Sequence, residues 1–186
     1  MKFTQLDIPG VWMIEPVRHG DSRGYFSEVF KMEEFRSATG VDTVFIQDNE
    51  SVSSRGVLRG LHMQAGEYAQ AKLVRVSQGV VFDVAVDLRP DSPTSGQWVG
   101  VELSQENGRQ LFIPRGFAHG FLVLSELAQF QYKVDNVYAP QSEISVRYDD
   151  KDLDIAWPAI DLPLNLSPKD ENARSLSAVL ALLAGK

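Results

Sequence analysis

The sequence predicts an all-β fold, an antiparallel sandwich or barrel with a few short peripheral helices. Three observations carry this. From Val44 onward, short runs of β-branched and aromatic residues recur at regular spacing. Turn signals fall between them, at Gln78-Gly79, Arg89-Pro90-Asp91-Ser92-Pro93, Glu106-Asn107-Gly108 and Pro114-Arg115-Gly116. Helical patterning is confined to one stretch near each end. Many short strands with almost no helix indicate a sandwich or barrel.

Taken in order, residues 10–18 (GVWMIEPVR) read as a strand ending near Pro16, and His19 to Ser22 as a turn. RGYFSEVF then alternates, with Phe26, Glu28 and Phe30 on one face. MEEFRSAT, residues 32–39, reads as a short helix stopped by Gly40. Strands are expected over 44–51, 56–64, 71–77, 80–88, 97–103, 109–113, 120–124 and 128–134, with a last one over 142–148. Beyond it, Trp157-Pro158 and Leu162-Pro163 mark an extended segment lying across the barrel. Ser167 reads as an N-cap with Pro168 at the first helical position. A helix over 173–183 aligns Leu176, Val179, Leu180 and Leu183 as a packing stripe.

Composition sets the outer bounds. A chain of 186 residues with 44% hydrophobic and 23% charged residues suits one domain over 1–186, its end (about 150–186) being the extended segment and short helix. No apolar run is long enough to cross a membrane, and the first residues do not resemble a signal peptide, so the expected location is cytoplasmic. There are no cysteines, which excludes disulfides and thiolate metal sites. The net charge of −7 argues against general binding to nucleic acid or a membrane surface. A local Arg/Lys cluster still suits one small anionic ligand.

The stretch VFIQDNESVSSRGVLRGLHMQ packs Gln47, Asp48, Asn49, Arg59, His62 and Gln64 into two strands and a turn. Strict alternation puts Gly60, His62 and Gln64 on one face, and Leu61 and Met63 on the other. Two half-motifs of the cupin jelly roll can be tested here. In the second, Gly108, Pro114, Gly116 and His119 match, with Val123 in place of the last Asn. In the first, Gly56 and His62 fit, but Gln64 stands where a second His belongs. With only three histidines in the chain and an amide at a ligand position, the reading is a jelly roll that kept its pocket and lost its metal. A site built from His62, His119 and a carboxylate is the metal-binding alternative.

Without a metal, the chemistry falls to side chains. A His base needs an orienting carboxylate, a cation can hold a developing oxyanion, and a Tyr can return a proton. His62, Lys72, a tyrosine and one Asp supply that set; spacing does not choose Tyr132 over Tyr138 or Tyr25. Each also has a plainer reading. Lys72 can be a solvated strand end, Asp170 a charge complementing a helix dipole, and Tyr132 a core tyrosine.

The segments DSRGYFSEVF, IQDNESVSSRGVLRGLHMQ, QAKLVRVSQGVVFDVAVDLRPDSPTSGQW, LFIPRGFAHGFLVLSELAQFQYKVDNVYAP and LSPKD together resemble the dTDP-sugar epimerase family of the cupin jelly rolls. The resemblance runs from about Asp21 to Asp170. It implies epimerisation of dTDP-4-dehydro-6-deoxy-D-glucose at C3 and C5, without a cofactor, giving dTDP-4-dehydro-L-rhamnose. It implies His62 as base oriented by Asp170, Lys72 beside the C4 oxygen, and Tyr132 as acid on the opposite face. Arg23, Glu28, Gln47, Asp48, Asn49, Arg59, Lys72, His119, Glu143 and Lys169 match substrate-binding positions, with Arg59 and His119 around the diphosphate and sugar. Tyr138 would stack on the thymine. The family implies a homodimer with exchanged strands, in which Arg23 and Glu28 serve the neighbour's site. His19 departs from an aromatic position of the family and reads as an exposed turn residue. The alternatives are an epimerase or ketoisomerase acting at one carbon, a non-catalytic sugar-nucleotide-binding cupin and, more remotely, a metal-dependent cupin oxygenase.

Overall fold

The computed structural model describes residues 1–185. Eleven strands form two antiparallel sheets facing each other, the jelly-roll sandwich expected. The six-stranded sheet runs in the order β1 (Lys2–Gln5), β2 (Trp12–Glu15), β10 (Gln110–Ile113), β7 (Lys72–Gln78), β12 (Leu127–Val134), β5 (Gln47–Ser54). The five-stranded sheet runs β13 (Glu143–Ser145), β6 (Leu58–Gln64), β11 (Phe117–Val123), β8 (Val80–Asp87), β9 (Trp98–Ser104). A separate exposed hairpin joins β3 (His19–Asp21) to β4 (Gly24–Phe26).

Period-two alternation sorts the side chains into layers. Val74 and Val76 of β7, Ala128 and Phe130 of β12, Val81 and Ala85 of β8, and Phe121 and Val123 of β11 meet between the sheets. The opposite face of the five-stranded sheet, with Leu61, Met63, Val84 and Val86, is covered by Leu153, Trp157 and helix α3 (Leu176–Ala184). The outer face of the six-stranded sheet, with Ile14, Leu73 and Phe112, is covered by Phe30, Phe45 and helix α1 (Met32–Thr39) through Phe35. Because the six-stranded sheet covers its inner face, and the C-terminal segment with α3 covers the outer face of its own sheet, β11 is buried along its whole length. Each large apolar side chain enclosed this way contributes on the order of 2 kcal/mol.

Helix α1 ends as its sequence dictates: Gly40 is left-handed at φ 70° and its N–H donates to the Arg36 carbonyl. At the other end Ser167 accepts from the Asp170 N–H and starts α2 (Pro168–Glu171). The expected helix over 173–183 begins later, at Leu176 with Ser175 as its cap, because Arg174 is held extended by a parallel bridge to Val146. Leu176 and Val179 of the expected stripe are buried.

Other departures lie at the N-terminal side. Strand β1 was not expected; its KFTQ carries too few apolar residues to signal a strand, and pairing with β2 makes it one. The turn expected at His19 to Ser22 is mostly strand β3. The alternating run RGYFSEVF stays a strand only to Phe26. Phe26 is exposed while Phe30 packs on Phe35, 5.9 Å between ring centroids, so Glu28 does not lie between two aromatics on one face. Strand β5 begins at Gln47, three residues later than expected, and β11 at Phe117, three earlier.

Candidate active site

The site forms where β6 breaks its alternation. His62 pairs with His119 and Arg59 pairs with Phe121, so three steps on β6 match two on β11. This is a β-bulge. It turns Arg59 to the same inner face as His62, where strict alternation would have sent it outward. Gly60 makes the close approach feasible: at φ 129°, an added Cβ would lie 2.5 Å from the Gly120 Cα and 2.9 Å from the His119 carbonyl oxygen.

One cleft of about 520 Å3 opens at this end of the sandwich. The five-stranded sheet supplies Arg59, His62 and His119 to its wall, with Glu143 from β13. The six-stranded sheet supplies Lys72 and Tyr132 to the other wall, and Phe121 and Phe130 form an apolar floor. Lys169 and Asp170, on α2, close the side. Eight residues singled out in the sequence therefore share one cleft: His62, Lys72, Tyr132, Asp170, Arg59, His119, Glu143 and Lys169.

His62 Nε2 lies 2.5 Å from Asp170 Oδ1, and Ser167 Oγ donates to Asp170 Oδ2 at 2.9 Å. Burial pushes the Asp170 carboxyl up, but hydrogen bonds and charge from His62, with Ser167 and Lys169, bring it below its ordinary value. An ionised Asp170 accepting the Nε2 proton leaves His62 Nδ1 with a free lone pair, the form a base requires. Lys72 Nζ lies 3.5 Å from the His62 carbonyl oxygen. Burial lowers the Lys72 ammonium from 10.5 to about 8, against the opposing pull of Asp83 and Glu143. Burial raises the Tyr132 phenol above its ordinary value, with the Arg59 charge opposing. Tyr132 thus stays protonated and able to give a proton.

The remaining expected residues lie outside this cleft. Asp48 and Asn49 line a separate cavity of about 280 Å3 that also includes Arg75 and Phe30. Asp48 pairs there with Lys133 at 2.8 Å, and Gln47 donates to Asn49 at 2.7 Å on the exposed strand β5. Tyr138 is exposed beside the cleft, its hydroxyl 3.3 Å from Glu143. Arg23 pairs with Asp21, and Glu28 with Lys31 at 3.5 Å, both on the surface. His19 is exposed in β3. Gln64 spends its amide on backbone: it donates to the Tyr68 and Val137 carbonyls at 2.7 and 3.0 Å and accepts from the Ala139 N–H at 2.6 Å. Sequence reading passed over Asp83, fully buried and 2.9 Å from His119, although an acid at an inward position of an apolar strand was a signal for it. It also took Ser167 only as a cap.

A jelly roll with a His–Asp pair, a lysine and a tyrosine around one open cleft defines a proton-transfer enzyme of the isomerase class. The comparisons make the class specific. The family model for dTDP-4-dehydrorhamnose 3,5-epimerase matches residues 5–178. The dTDP-4-dehydrorhamnose 3,5-epimerase of Salmonella typhimurium is 54% identical, covering 93% of this chain and 94% of its own. That of Escherichia coli is 50% identical, covering 98% of both. The crystal structure of the dTDP-6-deoxy-D-glucose-3,5-epimerase of Legionella pneumophila, in complex with dTDP-4-keto-L-rhamnose, superposes with a TM-score of 0.94 at 49% identity, covering 98% of this chain and 96% of that one. The chain belongs to the dTDP-4-dehydrorhamnose 3,5-epimerase family.

Proposed function

We propose that this protein converts dTDP-4-dehydro-6-deoxy-D-glucose into dTDP-4-dehydro-L-rhamnose by inverting C3 and C5, in dTDP-L-rhamnose biosynthesis. The observation that carries the mechanism is the placing of His62 and Tyr132 on the two facing sheets, with one cleft between them. The C4 keto group acidifies the protons on both neighbouring carbons. His62 Nδ1, oriented through Nε2 by Asp170, removes such a proton from one face. The C4 oxygen gains negative charge as the enolate forms, and the Lys72 ammonium stabilises it. Tyr132 returns a proton from the other face, and the centre is inverted. The tyrosinate then recovers a proton, and His62 releases the one it took. Arg59 and Lys169 are the cations available to the diphosphate.

The protein acts as a homodimer in this reading. Arg23 and Glu28 stand away from their own chain's cleft, on or next to an exposed hairpin that displays Tyr25 and Phe26. Strand β5 leaves an eight-residue sheet edge unpaired, with Val52 exposed on it. A second copy lying along that edge covers the apolar residues, brings Arg23 and Glu28 to its neighbour's cleft, and leaves Gln47, Asp48, Asn49 and Tyr138 to hold the nucleotide. Among the described residues no helix is long and apolar enough to cross a membrane. The assignment of the reaction to the cytoplasm is part of this proposal and rests on the substrate, a doubly charged sugar nucleotide that does not pass a lipid bilayer unaided.

Proton NMR of the substrate with the purified protein in deuterated water tests the reading. Deuterium entering at both C3 and C5, with product reduced to dTDP-L-rhamnose by a coupled reductase, is expected. Deuterium at one carbon only moves the protein to single-site epimerisation, and no exchange leaves a sugar-nucleotide-binding jelly roll.

A further inference from the structure

The mechanism above does not use Asp83, yet Asp83 is a carboxyl with no exposure inside the sandwich. It lies at an inward position of β8, beside β11. Its Oδ2 is 2.9 Å from His119 Nε2. Its Oδ1 is, among the described residues, the one fully enclosed side-chain nitrogen or oxygen without a hydrogen-bond partner. The imidazole N–H is thus the sole donor this carboxyl meets, and an enclosed carboxylate stripped of donors is costly. A proton shared between an imidazole and a carboxylate rests on the more basic imidazole.

The other nitrogen of His119 has a different fate. Among the described residues Nδ1 has no hydrogen-bond partner, and it is not one of their enclosed unpartnered atoms, so it opens on the cleft that His119 lines. The ring is fixed besides: it stacks on Phe130, with centroids 5.9 Å apart and planes at 25°. Burial holds the imidazole below its ordinary value against the pull of Asp83, with Lys72 and His62 adding to the effect, which keeps the ring neutral.

We propose that Asp83 is a positioning residue that fixes His119 as the Nε2–H tautomer, so that the Nδ1 lone pair accepts a hydrogen bond from the C2 hydroxyl of the substrate sugar. A bare lone pair repels phosphate oxygens, so His119 reads the sugar and not the diphosphate. The C2 hydroxyl follows from the chemistry of the substrate. C1 carries the diphosphate, C4 is a ketone and C6 is a methyl, which leaves hydroxyls at C2 and C3. C3 is inverted during the reaction and its hydroxyl changes direction. Only the C2 hydroxyl keeps its bond to a rigid acceptor through both inversions. The inference rests on the proposed epimerase reading, and its first test does not require turnover.

That first test is long-range proton–nitrogen NMR of the wild-type protein labelled at histidine. His119 is expected to show a protonated Nε2 and a bare Nδ1; the reverse tautomer or an imidazolium at neutral pH overturns the proposal. In Asp83→Asn the amide N–H competes as a donor to Nε2, and the Nδ1–H tautomer should appear; an unchanged spectrum removes the role given to Asp83. The second test compares the 4-dehydro-6-deoxy sugar nucleotide with its 2-deoxy analogue. Wild-type kcat/KM should fall about ten-fold on the analogue, the value of one hydrogen bond, mainly through KM, and His119→Leu should handle the two alike. His119→Asn, whose Oδ1 stands near the place of Nδ1, should keep more of the preference than His119→Gln. Equal use of both sugars by the wild type sinks the hydroxyl contact. Failure to turn over the parent sugar sinks the epimerase reading instead and leaves the tautomer result standing.

Discussion

Replacing Lys72 by Met should make the protein more stable and less active. The Lys72 ammonium is held at about 8 instead of 10.5. At about 1.4 kcal/mol per unit, keeping this cation in the folded cleft costs roughly 3 kcal/mol, already net of the attraction of Asp83 and Glu143. Met fills the space of the lysine stem without a charge, and allowing for relaxation of the cleft the gain is about 2 kcal/mol. For a chain of this size that corresponds to roughly 4–8 °C in Tm. The sign depends on pH. Below 8 both folded and unfolded wild type carry the ammonium and the full penalty applies. Between 8 and 10.5 the folded state loses the proton while the unfolded state keeps it, so wild-type stability rises with pH and the gap to Lys72→Met closes. Urea unfolding of both proteins at pH 6.5, 8 and 10 measures this. Turnover of the variant should fall about 100- to 1000-fold through loss of the oxyanion partner, and wild-type kcat should decline on the alkaline side as Lys72 deprotonates. A variant no more stable than wild type at pH 6.5, or a gap constant with pH, refutes the burial argument. Full turnover refutes the assignment of Lys72 to the enolate.

Three further outcomes are expected. Asp170→Asn should lower kcat by at least about ten-fold while KM changes little, because it disturbs the orientation of the base and not the substrate contacts; since the Asp170 carboxyl lies below its ordinary value, wild type also loses stability as pH falls through the acid range, and acid titration of unfolding should show that loss reduced in the variant. Tyr132→Phe should slow product formation more than deuterium uptake at the first carbon, read by NMR, because removal and return of the proton use opposite walls; equal loss of both contradicts the two-face mechanism. Gly60→Ala should destabilise by about 2 kcal/mol or more in thermal unfolding, since its Cβ would sit 2.5 Å from the Gly120 Cα on a left-handed backbone.

The sandwich was legible because short β-branched and aromatic runs recur between turn signals; alternation shows in β12, whose Ala128 and Phe130 point inward, whereas β8 and β11 are apolar on both faces because both faces are covered. Helix α1 was legible to the residue because a glycine stop is local chemistry. What alternation could not give was the bulge in β6. It depends on Gly60 and Gly120 meeting from strands far apart in sequence, and it alone puts Arg59 beside His62. The resemblance to a family named His62, Lys72, Tyr132 and Asp170 together; periodicity by itself left the choice of tyrosine open. Ser167 was missed because it acts on another side chain, and such a contact leaves no spacing pattern; Asp83 did leave a signal, an acid at an inward position of the apolar strand β8, but nothing in the sequence named His119 as its partner.

Asp170 lies 108 residues beyond His62. The segment that carries it clasps the barrel at two parallel bridges, Val57 with Asn165 and Val146 with Arg174, one on each side of α2. All strands of both sheets precede that segment in the chain. As the polypeptide emerges from the ribosome, the sandwich can therefore close, and the walls of the cleft with it, while His62 still lacks its carboxylate. On the proposed mechanism, catalytic competence is then a late event of biosynthesis, gained when the final clasp docks, and a chain cut after Tyr148 would retain every strand of both sheets while leaving His62 without the Asp170 carboxylate.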